Sequence, residues 1–223
     1  VKVSPEKKTI QIIDNGIGMT ADEIKKYINQ IAFSGATDFL SKFEGKTEDE
    51  GSEIIGHFGL GFYSAFMVAD TVEIDSLSYQ KGAEPAKWRC NGGIDYEMEA
   101  GERTERGTTI TLFIGADGEE FLNEATLYAA MRKYCAFMPV EIYVADETAE
   151  PQYDTIEKDE LTDKDTVIET IVEEAKTEEK EKEDGTKETV EVSPRTEKYK
   201  ILKRPVALND IHPLWNKHPN ECT

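Results

Sequence analysis

A carboxylate beside two glycines is the first group in the chain whose setting indicates chemistry. Asp14 and Asn15 are followed by Gly16, Gly18 and Met19. Glycine adopts positive φ at little cost, so this sequence permits a tight turn. A carboxylate on such a turn accepts a hydrogen bond from an exocyclic amine such as that of adenine, while Met19 offers a soft apolar wall. The same pattern also fits an Asp-Asn-Gly turn that closes a hairpin and binds nothing.

A second glycine cluster, Gly56-x-x-Gly59-x-Gly61, follows about forty residues later. Glycines at the start of a helix let phosphate groups approach the backbone, where free amides and the helix dipole favour negative charge. Close helix packing is the alternative, although it explains one or two glycines more readily than three. The cluster lacks the Gly-Lys-Ser/Thr of a Walker P-loop and the ending of a Rossmann fingerprint.

A Gly107-Thr108-Thr109 step opens an alternating strand later in the chain. Alone it indicates little, since threonine is common in strands. If the strand lies beside Asp14, the Thr108 hydroxyl can complete a network around a bound base.

The elements around Asp14 can be predicted from local patterns. Val1 to Val3 and Thr9 to Ile13 are β-rich runs joined by a Pro-Glu-Lys-Lys turn, which is typical of a hairpin with Asp14 at its end. Thr20-Ala21-Asp22-Glu23 matches a capping box, so we expect a helix from about Ala21 to Phe33. Gly35 then ends it, and Glu44 to Glu53 has the composition of a loop beside the pocket.

The remaining patterns predict helices and antiparallel strands. A buried helix is expected over Gly59 to Ala69 and an amphipathic one over Asn123 to Phe137. The predicted strands are Thr71 to Leu77, Ala86 to Cys90, Ile94 to Glu99, Gly107 to Ile114 and Val140 to Val144. Their spacing fits antiparallel pairing better than βαβ crossovers. The predicted fold is therefore α/β, a two-layer sandwich of a mostly antiparallel mixed sheet with helices on one face.

Composition divides the chain and excludes some classes of protein. The formal net charge of −20 over 223 residues argues against a nucleic-acid surface. Most of this charge lies between Asp146 and Glu191, where 19 side chains are acidic and 6 are basic. We therefore predict a nucleotide-binding domain over residues 1–145, an acidic linker over residues 146–195, and the start of a further domain over residues 196–223.

The cysteines and the apolar runs bear on location. Cys90, Cys135 and Cys222 are far apart and show no metal-binding or disulfide spacing, which favours free thiols in a reducing compartment. No apolar run is long enough for a membrane span. These observations predict a cytoplasmic protein. Val1 lies inside a strand-like pattern without a preceding Met, which suggests an internal piece of a longer protein.

Taken in order, the motifs resemble the ATP-binding domain of the heat shock protein 90 chaperones, in a bacterial-type version. They read Asp-x-Gly-x-Gly-Met-Thr, Ser34-Gly35, Gly-x-Phe-Gly-x-Gly-Phe-Tyr-Ser and Gly-Thr-Thr. The resemblance covers roughly Val1 to Ala145, and Pro-Leu-Trp near the end resembles the opening of that family's middle domain. Sensor histidine kinases, type II topoisomerases and mismatch-repair ATPases share the superfamily, but Phe-Tyr-Ser-Ala-Phe and the Ser-Gly hinge favour the chaperones.

This resemblance implies a Bergerat-type fold, incomplete at its N-terminus, with ATP on the open face of the sheet. Asp14 would bind the adenine amine from the turn that Gly16 and Gly18 allow, and Met19 and Ile28 would line the base pocket. Gly18 and Thr108 would support the surrounding water network. Ser34 to Glu53 would form a lid hinged at Ser34 and Gly35. The residues expected at the phosphates are Gly56, Phe58, Gly59, Gly61 and Phe62.

Two departures from the family pattern concern hydrolysis. Phe33 stands where the family usually has a lysine before the Ser-Gly hinge, so a phosphate contact is lost there. The family's catalytic glutamate and metal-coordinating asparagine lie well before the Asp-x-Gly-x-Gly turn, and the arginine of its middle domain lies well after it. We therefore expect the glutamate upstream of Val1, the arginine beyond Thr223, and no catalytic residue within the chain.

The resemblance implies an ATP-dependent molecular chaperone that assists protein folding under stress, with ATP and Mg²⁺ as cofactors. Its full-length form would be a cytoplasmic homodimeric ATPase that binds unfolded or client proteins and neither nucleic acid nor membranes. This chain itself would bind ATP or ADP and hydrolyse little. A non-enzymatic interaction module with a relic pocket is the alternative. Absence of the family's first helices would leave apolar sheet surface uncovered, so we expect marginal stability.

Overall fold

The computed structural model describes residues 1–29, 61–173, 176–181, 187–193 and 196–213. These form two compact units. The first comprises Val1–Thr148 and the segment that begins at Ala207, and the second comprises Ala149–Val206. Whether they correspond to the nucleotide-binding domain, linker and further domain expected over residues 1–145, 146–195 and 196–223 stays a prediction.

A seven-stranded sheet forms the first unit, in the order β5-β4-β3-β6-β2-β1-β7. Every neighbouring pair is antiparallel except β1 and β7, which are parallel. The sheet is therefore mixed and mostly antiparallel, as the spacing predicted. The strands are β1 (Lys2–Ser4), β2 (Thr9–Ile13), β3 (Ala69–Leu77), β4 (Ala86–Cys90), β5 (Tyr96–Ala100), β6 (Gly107–Ile114) and β7 (Ala145–Asp146).

Helices cover one face of this sheet. The α-helices are α1 (Ala21–Ile28) and α2 (Glu124–Cys135), and 3₁₀ helices span Gly61–Met67 and Ala116–Leu122. Ile24 of α1 and Leu127 of α2 join one buried cluster with alternate residues of the strands. The strand residues of that cluster are Val3, Ile10, Ala69, Val72, Ile74, Ala86, Trp88, Cys90, Leu112 and Ile114. This confirms the predicted α/β fold with helices on one face.

Local chemistry explains where the helices begin. Thr20 accepts a hydrogen bond from the Glu23 amide, and the Glu23 carboxylate accepts one from the Thr20 amide, which confirms the capping box. Asn123 caps α2 in a simpler way, by accepting from the Thr126 amide at 3.1 Å. The expected continuation of α1 to Phe33, the Gly35 break, the loop over Glu44 to Glu53 and the lid from Ser34 lie outside the described residues.

Two predicted elements of the first unit were wrong. Val140 to Val144 is not a strand, because its backbone groups pair with the Asn209 side chain and with isolated groups such as the Leu208 amide instead of a strand ladder. Asn209 accepts from the Ile142 amide at 2.8 Å and donates to the carbonyls of Met138 and Val140 at 2.8 and 2.7 Å. The only strand there is the two-residue β7, which pairs with β1.

The second correction concerns Gly59 to Ala69, which was expected to be a buried helix. Within the described part of this segment the chain forms a 3₁₀ helix with no buried residue, and Ala69 already belongs to β3. Its aromatic side chains pack at the margin of the core, as when Phe62 meets Trp88 edge-on with ring centroids 5.6 Å apart. The segment is therefore apolar because it borders the core.

The second unit contains a three-stranded antiparallel sheet in the order β8-β12-β9 and a separate hairpin of β10 and β11. A one-turn 3₁₀ helix spans Lys158–Glu160. The tract expected to be an acidic linker therefore contains strands, and β-branched residues such as Val167, Ile168 and Val172 favour this extended pairing. The strands are β8 (Tyr153–Glu157), β9 (Val167–Glu173), β10 (Lys176–Glu181), β11 (Lys187–Ser193) and β12 (Thr196–Leu202).

No helix among the described residues is long and apolar enough to cross a membrane. Cys90 and Cys135 are free thiols, as expected, while Cys222 lies outside the described residues.

Candidate nucleotide site

The Asp14 turn joins β2 to α1 and is fixed by backbone contacts to β6. The Asp14 amide donates to the Thr108 carbonyl at 2.9 Å, and the Thr108 amide donates back to the Asp14 carbonyl at 3.3 Å. The chain then enters α1, so the turn does not close a hairpin. This removes the simplest alternative to a ligand-binding role.

The Asp14 carboxylate is oriented by two backbone donors. Its Oδ1 accepts from the Gly16 amide at 2.9 Å and from the Thr108 amide at 3.2 Å. The first of these bonds forms an Asx-turn, which holds the side chain over its own backbone. Asp14 is exposed, and its Oδ2 makes no hydrogen bond to the part of the chain that the structure describes. The free oxygen is therefore a fixed acceptor for an external N–H or O–H group.

Gly18 is required where the turn meets the end of β3. Its φ is +63°, and a Cβ built on it would lie 1.9 Å from the Leu77 carbonyl oxygen. The neighbouring Ile17 carbonyl accepts from the Tyr79 amide at 2.7 Å, which ties the turn to the residues after β3. Both conformation and space exclude a side chain at Gly18.

A buried serine connects the turn to Thr108, and sequence reasoning did not identify it. The Ser76 hydroxyl accepts from the Met19 amide at 2.8 Å, donates to the Gly107 carbonyl at 3.2 Å, and lies 2.9 Å from the Thr108 hydroxyl. A serine hydroxyl has one proton, so Thr108 donates in the last contact. The available sequence signal was a polar residue in phase with Val72 and Ile74, which are both buried in β3.

The structure brings together only part of the predicted site. Asp14, Gly16, Gly18, Met19 and Thr108 lie around the ends of β2, β3 and β6. Met19, Ile28 and Phe62 are partly buried and pack against the core. A Cβ on Gly61 would meet no atom of the described residues within 4 Å. The remaining predicted residues lie outside the described part of the chain: Ser34, Gly35, Gly56, Phe58 and Gly59.

Ile28 also borders an aromatic cavity of about 470 Å³, whose lining does not include Asp14. Two polar contacts close it beside the end of α1. The Tyr63 hydroxyl donates to the Ile28 carbonyl at 2.5 Å, and the Trp88 indole donates to Asn29 Oδ1 at 2.9 Å. Burial raises the pKa of Tyr63, and the nearby Cys90 thiol adds to this effect. The Tyr63 hydroxyl is therefore a neutral donor that fixes the last turn of α1.

Comparison with known proteins gives two family matches and several similar curated proteins. The family described as "Histidine kinase-, DNA gyrase B-, and HSP90-like ATPase" matches residues 1–93, and the family described as "Hsp90 protein" matches residues 120–223. The similar curated proteins include three named chaperone protein HtpG. They come from Bacteroides fragilis (54% identical), Porphyromonas gingivalis (44%) and Desulfitobacterium hafniense (36%).

The aligned regions make up about two thirds of this chain but a much smaller share of each relative. They span 142 residues in the first two relatives, which is 64% of this chain and 20% of each relative. In the third relative they span 149 residues, 66% of this chain and 24% of the relative. The chain therefore covers about a fifth to a quarter of the length of the curated relatives it matches. Two matching family models and these identities make the chain similar to the heat shock protein 90 chaperones over most of its length.

Proposed function

We propose that this chain binds the adenine nucleotides ATP and ADP, as part of an ATP-dependent molecular chaperone. One observation carries the proposal: one oxygen of the Asp14 carboxylate is fixed by two backbone amides, and the other makes no hydrogen bond to the described residues. A rigid, exposed acceptor at a strand end suits the exocyclic amine of adenine. The match of residues 1–93 to a family of HSP90-like ATPases supports a nucleotide as the ligand of this acceptor.

Each predicted site residue has a role in this proposal. Asp14 accepts from the adenine amine, and Gly16 and Gly18 shape the turn that presents it. Met19 and Ile28 provide apolar walls for the base, and Thr108 acts with Ser76 beneath it. Gly61 and Phe62 lie toward the phosphates. The same proposal places Gly56, Phe58 and Gly59 at the phosphates, and Ser34 and Gly35 at the hinge of a lid.

Mg²⁺ enters the proposal as the usual companion of ATP, where it offsets phosphate charge. Among the residues that the structure describes, no three His, Cys, Asp or Glu side chains converge to hold a metal ion. These residues do not form a metal site by themselves, so we assign no metal ligand and no hydrolytic step to them. For the longer protein we propose a cytoplasmic, homodimeric ATPase that acts on unfolded or client proteins during stress.

A calorimetric titration with ADP tests the proposal. Asp14→Asn replaces one carboxylate oxygen by an amide donor, so we expect ADP affinity to fall at least about tenfold, the usual scale of a hydrogen bond to a charged group. Asp95→Asn is the matched control, since Asp95 is exposed in the β4–β5 loop. Its ADP affinity should equal that of the parent chain. Failure of the parent to bind ADP would instead favour the non-enzymatic interaction module.

A further inference from the structure

Arg103 lies in the loop between β5 and β6, and its guanidinium contacts the backbone of the Asp14 turn. Its Nη2 donates to the Asp14 carbonyl at 3.3 Å and to the Arg106 carbonyl at 3.2 Å. Its Nε donates to the Glu105 carbonyl at 3.2 Å, and its Nη1 donates to the Thr109 hydroxyl at 2.5 Å. One guanidinium therefore joins its own loop, the start of β6 and the end of β2.

The loop is anchored at its other end, so Arg103 has a fixed base from which to act. The Gly101 amide donates to the Pro85 carbonyl at 2.9 Å, and the Glu102 amide donates to both oxygens of Asp75 at 3.2 and 3.0 Å. Asp75 belongs to β3, whose pairing with β6 is part of the central sheet. The backbone just before Arg103 is therefore held by hydrogen bonds to β3 and to the residue before β4.

Close packing couples Arg103 to the Asp14 carbonyl. Gly107 has φ +122°, and a Cβ on it would lie 2.2 Å from the Asp14 oxygen and 2.9 Å from Nη2 of Arg103. The three groups therefore meet at contact distance. The Asp14 carbonyl receives the Thr108 amide from one direction and the guanidinium from another, which restricts rotation of the peptide that carries the carboxylate.

We propose that Arg103 is a positioning residue of the nucleotide pocket, acting through the Asp14 turn without touching the ligand. The proposal rests on the function proposed above. Arg103 holds the Asp14 peptide so that Oδ1 meets the Gly16 and Thr108 amides and Oδ2 faces the base. Without it, the Asp14 carbonyl keeps only the Thr108 amide as a donor, and the peptide at the end of the β2–β6 ladder is less restricted.

The first experiment compares ADP with inosine diphosphate (IDP) in Arg103→Met, Arg103→Lys and Arg106→Met chains. IDP carries an oxygen where ADP carries the amine, so the ratio of the two affinities reports the Asp14 contact. We expect Arg103→Met to weaken ADP about five- to tenfold while IDP changes less than twofold. Arg103→Lys should restore part of the preference. Arg106→Met removes the same charge from the same loop and should leave both affinities unchanged.

The second experiment needs no nucleotide. Amide hydrogen exchange at Gly16 and Thr108, which both donate to Asp14, should accelerate at least about fivefold in Arg103→Met. The Gly101 amide, bound to Pro85, is the internal reference and should not change. Arg106→Met should match the parent at all three amides. If Arg103→Met does not fold, Arg103→Lys gives the same comparison with a smaller change.

The outcomes separate the two proposals. Unchanged amide exchange at Gly16 and Thr108 in Arg103→Met overturns the positioning role. Equal weakening of the ADP and IDP affinities, together with faster exchange across the whole sheet, also overturns it. A parent chain that binds no ADP, combined with faster exchange at those two amides in Arg103→Met, removes the proposed nucleotide function and retains the positioning role.

Discussion

The Asp14 turn and the β8-β12-β9 sheet are held together in opposite ways. The turn depends on side chains and amides far apart in sequence, such as Ser76 with Met19, 57 residues apart, and Thr108 with Asp14, 94 apart. The small sheet depends on regular antiparallel pairing along β12. Among the described apolar side chains of Ala149–Val206, only that of Ile201 is buried.

This difference determines how each region responds to substitution. A strand ladder is made of backbone groups, which remain when an exposed side chain changes. In the turn, single side chains and glycines make the connections, and loss of the Ser76 contacts leaves the buried Thr108 hydroxyl without this partner. We therefore expect large, site-specific effects in the turn and small effects over most of the β8-β12-β9 sheet.

Gly18→Ala should give the largest effect. An alanine at this position would have to adopt positive φ, and its methyl group would also collide with the Leu77 carbonyl. We therefore expect a loss of about 3 kcal/mol or more in the free energy of unfolding. Gly82→Ala is the control, because Gly82 has φ +81° but nothing within 4 Å of the added methyl. It should cost about 1 kcal/mol. Urea denaturation measures both, and equal costs would show that the Leu77 contact is unimportant.

Ile201→Ala should give the next largest effect, confined to the second unit. Ile201 is fully buried in β12, and removal of such a side chain costs about 2–4 kcal/mol. Val172→Ala in the paired strand β9 is the control, since Val172 is 41% exposed and should cost less than about 0.5 kcal/mol. Hydrogen exchange of the β8, β9 and β12 amides measures both. Comparable losses in the two variants would contradict the idea that one side chain anchors this sheet.

Ser76→Ala should give an intermediate loss of about 1–3 kcal/mol in unfolding free energy, because the Met19 amide and the Thr108 hydroxyl lose their partner. Ser78→Ala is the matched control two residues away. Ser78 is also buried, but its side chain only accepts from the Gln80 amide at 3.4 Å. Its loss should stay below about 0.5 kcal/mol. If the two variants unfold at the same urea concentration, Ser76 is not the connection we describe.

Local patterns predicted most of the fold, whereas contacts between distant residues decided what was missed. The hairpin, the capping box at Thr20 and the strands from β3 to β6 follow from spacing and turn residues, which act within a few positions. Asn209 hydrogen-bonds the backbone of Val140 and Ile142, about 70 positions earlier in the chain. No local sequence pattern reveals a contact between residues this far apart. Val140 to Val144 was therefore predicted as a strand on composition alone.

The candidate site shows the same division. Asp14 and Gly18 were identifiable because the turn itself demands their residue types. Ser76 and Arg103 act through residues 57 and 89 positions away, at Met19 and Asp14. Their residue types are ordinary for a strand and a loop, so only the three-dimensional structure shows them next to the turn.

The smallest expected effect concerns an ion pair of the second unit and appears only in acid. The Arg204 guanidinium donates to both oxygens of Asp165 at 2.7 and 2.6 Å, and the Thr162 amide donates to the same carboxylate at 2.7 Å. Arg204 first, and then Thr162, hold the pKa of Asp165 well below its ordinary value. A lowered pKa in the folded state stabilises that state above the unfolded pKa of about 3.9. This stabilisation is lost as pH falls further toward the folded value.

Arg204→Met tests this sign directly. An NMR titration of the Asp165 side-chain carboxyl carbon should show its pKa rising toward the ordinary range. The unfolding free energy of the variant should depend less on pH below about 4. Lys203→Met is the control, because Lys203 is the adjacent cation and its Nζ donates to Gln152 instead. That variant should titrate like the parent at Asp165. A steeper acid dependence in Arg204→Met would mean that this region relies on other carboxylates, and that its backbone ladder is less self-sufficient than the comparison with the Asp14 turn implies.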